Sequence, residues 1–87
     1  MLPGGDLVEQ GLRDLADGRE TVASLLVSIG APRLRRILDG LPAPPFPGAE
    51  HRLYALLARE DPDSAHSRYN AFLRRLVSFE RAAECAR

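Results

Sequence analysis

Lysine is absent from the 87 residues; all 12 basic residues are arginine, and 12 acidic residues balance them. A GC-rich bacterial genome accounts for that usage, and guanidinium forks also make better ion pairs than ammonium groups. The zero net charge argues against a dedicated nucleic-acid binder, which needs an excess of positive charge. A single cysteine, Cys85, excludes an internal disulfide and fits a reducing cytoplasm. No apolar run approaches the roughly 20 residues of a membrane span. The longest, Val22 to Ile29, is broken by Ser24 and Ser28. Met1 is followed by Leu2, Pro3, Gly4, Gly5 and Asp6. That start has neither the basic nor the apolar region of a secretory signal. The expected compartment is the cytoplasm.

Against these absences, 45% of the residues are hydrophobic, enough to bury a core rather than remain disordered. The length suits a single small domain over residues 1–87. Residues 1–5 read as a loose N-terminus and residues 41–48 as a proline-rich connection.

The strongest pattern runs from Pro62 to Arg87. Ala65, Tyr69, Phe72, Leu76, Phe79 and Ala83 recur in alternating steps of four and three residues. That spacing keeps one face of an α-helix apolar, and Leu73 and Val77 widen it. Pro62 suits a first helical position and Asp61 a cap. This long C-terminal helix is expected to organise the fold. Four shorter helices precede it. Asp6 and Glu9 form a capping box for the first, whose inner face carries Leu7, Val8, Leu12, Leu15 and Ala16. Gly11 weakens it by about 1 kcal/mol unless close packing requires a glycine. Gly18 is its stop. The second spans about Arg19 to Ile29, is apolar nearly all round, and so belongs at the centre. Gly30 ends it. The third runs from Pro32 to Asp39, burying Leu34, Ile37 and Leu38. Four prolines between Leu41 and Gly48 exclude helix and favour a stiff crossing segment pinned by Phe46. The fourth helix covers Ala49 to Glu60. The expected fold is all-α, a five-helix orthogonal array or irregular bundle.

No motif specifies a reaction. No phosphate-binding glycine loop, Ser/His/Asp set or redox cysteine pair is present, so an enzyme is not the expected reading. His51, His66, Cys85, Glu60, Asp61 and Asp63 include metal-binding types, but none has a recognised ligand spacing. No metal or cofactor is expected. Glu80 falls within the apolar face of the last helix, so it needs an ion-pair partner, and Arg33 and Arg36 are the candidates. Arg33, Arg35 and Arg36 form one basic cluster, and Arg68, Arg74, Arg75 and Arg81 a second.

Arg59 is followed seven residues later by His66, across a junction between two helices. This resembles the Arg–His signature of HEPN-type ribonucleases, which implies that Arg59 and His66 act on an RNA backbone. Asn70, one turn beyond His66, could join that polar site.

The favoured expectation is a small helical interaction module that self-associates as a homodimer. Its interface is expected on the last turns of the final helix, at Phe79, Glu80, Ala83 and Ala86, which have none of their own chain beneath them. A nucleic-acid-associated regulator using the arginine clusters is the alternative, and a HEPN-like ribonuclease the second.

Overall fold

The computed structural model describes residues 2–86; expectations that touch Met1 or Arg87 lie outside it. The fold is all-helical. It comprises α1 (Gly5–Ala16), α2 (Val22–Ile29), α3 (Ala31–Leu38), α4 (Ala49–Glu60) and α5 (Ala65–Cys85). The body measures 39 × 24 × 19 Å.

The short α2 is the hub and packs against all four other helices. Every residue from Ala23 to Ser28 is buried. The largest fully buried side chains are Leu25, Leu26, Val27, Ser24, Leu34, Leu53 and Leu57. They come from α2, α3 and α4, so the centre of the core is not on α5. The reason is chemical. With only two hydroxyls on an otherwise apolar helix, α2 has no face to give to water. By contrast, α5 carries arginines, Ser67 and Ser78 along its outer side and closes the core from one flank, burying Ala65, Leu76, Phe79 and Ala83.

The two serines of α2 are satisfied internally. Ser28 Oγ donates to the Ser24 carbonyl at 2.8 Å and accepts from the Phe46 amide at 3.0 Å. That second bond pins the proline-rich crossing segment, where Arg52 also stacks 5.6 Å from the centre of the Phe46 ring. Close packing does require Gly11. A Cβ there would lie 2.4 Å from the Ala23 carbonyl oxygen and 2.5 Å from a Val27 methyl.

Helix starts differ from those read in the sequence. Gly5, expected in the N-terminal segment, already belongs to α1, and its amide donates to the Leu2 carbonyl at 2.9 Å. Gly4 takes the cap position at φ 73° with no side-chain cap bond. The expected Asp6–Glu9 box therefore does not cap α1, since Asp6 lies inside the first turn. The capping box occurs instead at α2. Thr21 Oγ1 accepts from the Ser24 amide at 3.1 Å, and Ser24 Oγ accepts from the Thr21 amide at 2.8 Å. Arg19 and Glu20 precede that helix, because the Arg19 amide closes the end of α1 on the Asp14 carbonyl at 2.8 Å. Pro62 does not start α5. Asp61 is extended, its carboxylate accepts from the Asp63 amide at 3.2 Å, and the helix begins after Ser64. α5 thus has 21 residues, about 31 Å at 1.5 Å per residue.

Candidate interaction surfaces

Glu80 is buried on α5 at 4% exposure. α3 lies beside α5 and brings Arg33 to it. The guanidinium stands 3.5 Å from Glu80 Oε1 and also pairs with Glu84 through Nε. The other Glu80 oxygen faces the α2–α3 corner, where a Cβ on Gly30 would come within 2.9 Å of it. Burial pushes the Glu80 carboxyl above its ordinary value, and the Arg33 charge opposes that shift. Of the two expected partners, Arg33 therefore makes the pair. Arg36 donates to the Pro32 carbonyl at 3.4 Å. No buried side-chain nitrogen or oxygen among the described residues is left without a hydrogen-bond partner.

The surface expected to meet a partner is largely covered by its own chain. Phe79, Glu80 and Ala83 are buried in the single molecule, and only Ala86 is exposed. The expectation that the last turns of α5 have no chain beneath them is thus corrected. Placing α2 at the centre allows both α1 and α3 to lie along α5.

His66 and Asn70 are brought together, with Nε2 and Nδ2 3.3 Å apart. The His66 ring meets Tyr54 edge-on at 6.5 Å between centroids. Arg59 is exposed near the end of α4, with no ion pair among the described residues. Among those residues no three His, Cys, Asp or Glu side chains converge as a metal site.

The arginine clusters divide. Arg68 pairs with Glu60 at 3.0 Å and Arg75 with Asp6 at 4.0 Å, while Arg33 is held by Glu80 and Glu84. Arg35, Arg74 and Arg81 have no ion pair among the described residues. Arg74 and Arg81 line an open cleft of 470 Å³ on α5, with Asn70, Leu73, Val77 and Ser78.

Two further features were not read from the sequence. One is a buried carboxylate, Asp14, at 4% exposure. It accepts from Thr21 Oγ1 at 2.7 Å, Gln10 at 2.9 Å and Arg19 at 3.0 Å. The Thr21 bond, followed by the Gln10 bond and the Arg19 charge, holds its pKa below the ordinary value against the opposing effect of burial. The signal available was Thr21 three residues before Ser24. The other is an apolar groove of 360 Å³ between α1, the end of α3 and α5. Val8, Leu12 and Phe79 line it, and Leu2 and Leu38 border it. These two leucines, at 36% and 37% exposure, and Tyr54 are the exposed large hydrophobic residues of the described chain. No local pattern reveals the groove, because its walls come from three separate helices.

No helix is long and apolar enough to cross a membrane among the described residues. No family model matches the chain, and neither does any curated protein or solved structure.

Proposed function

We propose that the chain is a small helical interaction module that associates with a second copy of itself through the groove between α1, α3 and α5. The observation that carries this reading is the coincidence of Leu2 and Leu38 on one groove lined by Val8, Leu12 and Phe79. A contact with two-fold symmetry is self-complementary: the leucines bordering each groove enter the other. Exposed apolar clusters of this kind mark association sites more often than isolated surface leucines do. The zero net charge also removes long-range repulsion between copies.

Sedimentation equilibrium at tens of micromolar is the test. A dimer is expected for the wild type, and a folded monomer for Leu2→Glu/Leu38→Glu. A wild-type monomer across that range overturns the reading. RNA cleavage abolished by His66→Ala and by Arg59→Ala, with helicity intact, would replace it with the ribonuclease reading.

A further inference from the structure

At the edge of the face that α5 turns to the core, Leu73, which packs against the core cluster, and Val77 stand one turn apart, both half-buried, and form an apolar ridge. On one side the ridge adjoins a cleft of 330 Å³ that Ile29 and Pro32 also line. On the other lie Arg74 and Arg81. The remaining arginines of α5, Arg68 and Arg75, are engaged by acids of this chain; among the described residues Arg74 and Arg81 are in no ion pair. Their Cα atoms are separated by about 10.5 Å along the axis, two helical turns at 1.5 Å per residue.

We propose that this face of α5 docks an amphipathic helix of a separate, acidic protein. Its acidic side chains stand seven residues apart, opposite Arg74 and Arg81, and its apolar side chains between them lie on Leu73 and Val77. Charge complementarity selects the occupant. A guanidinium beside an apolar strip gains from a carboxylate, because two of its N–H groups donate to the two oxygens in a fork. The apolar strip is what a helix-in-groove contact uses, whereas a phosphate backbone leaves it uncovered. A second copy does not supply this helix, because no two of the chain's 12 acidic residues are seven positions apart. This surface is separate from the groove lined by Val8, Leu12 and Phe79.

The probe is a fluorescein-labelled synthetic helix carrying two glutamates seven residues apart, with leucines between them. Anisotropy is read at low and high salt. Saturable binding to the wild type is expected, weakening as salt screens the pairs. Affinity should fall at least about tenfold for Arg74→Glu/Arg81→Glu, a loss of about 1.4 kcal/mol. A peptide with lysines in place of the glutamates should bind that variant in preference to the wild type. Circular dichroism establishes that the variant remains helical; both positions are exposed. Three results overturn the proposal: no binding, equal binding of a scrambled peptide of the same composition, or binding unchanged in the double variant. Duplex DNA that binds more tightly than the peptide and is lost in the same variant also overturns it, and assigns the face to nucleic acid.

Discussion

At the scale of single residues, the two buried carboxylates act in opposite senses. Folding raises the Glu80 pKa above its ordinary value of 4.5, chiefly through burial. The folded state therefore binds that proton more tightly than the unfolded state does. The stabilisation linked to it is complete below pH 4.5 and is lost as pH rises through the folded value. Glu80→Gln should remove this loss and leave the protein at least as stable at neutral pH, measured by urea unfolding. A large drop in stability would mean that the Arg33 pair outweighs the burial of charge. Asp14 behaves the other way. Its pKa is lowered, first by the Thr21 bond, so its contribution is present above the ordinary value of 3.8 and lost as pH falls through the folded value. Asp14→Asn should reduce the steepness of acid unfolding. At Gly11 the limit is space. Gly11→Ala improves helix propensity but places a methyl group against the Ala23 carbonyl. A net cost of about 1–3 kcal/mol is expected, as for overpacking, with a lower melting temperature as the readout.

At the scale of elements, α5 is the longest helix but a cover, and α2 is the hub. The apolar period of α5 is legible because a long helix repeats its pattern many times. The same pattern gives no depth, because it shows which side faces inward and not how much chain lies beneath that side. Leu76, 4% exposed beside Gly30, should still cost about 2–5 kcal/mol when changed to Ala, and an unchanged melting temperature would contradict its place in the core. Phe79→Glu separates the two views of the C-terminal turns. On a surface awaiting a partner, it would yield a folded monomer. Because Phe79 is 8% exposed within one chain, the expected result is loss of the cooperative thermal transition. Helix starts were less legible than helix faces. Asp6 with Glu9 and Thr21 with Ser24 share the same spacing, but Thr21 occupies the cap position of α2 whereas Asp6 lies inside the first turn of α1.

At the scale of the whole molecule, a dimer through the apolar groove and a partner helix on the Leu73 and Val77 flank of α5 are independent, so Leu2→Glu/Leu38→Glu should leave the peptide affinity of the Arg74 and Arg81 face unchanged. A common loss in both assays would point to one shared surface. The sequence alone determined the all-helical class, the number of helices, the bounds of α4 and the central place of α2. These follow from periodicity, from proline and glycine, and from the lack of a polar face, all of which act over a few turns of chain. It also determined that Glu80 needs a cation and narrowed the choice to Arg33 and Arg36. Tertiary structure alone decided that Arg33 makes the pair, that Phe79 and Ala83 are covered by their own chain, and that Leu2 and Leu38 border one groove. Each of those depends on how separate helices lie against one another, and crossing geometry is set by side chains distant in sequence meeting in space.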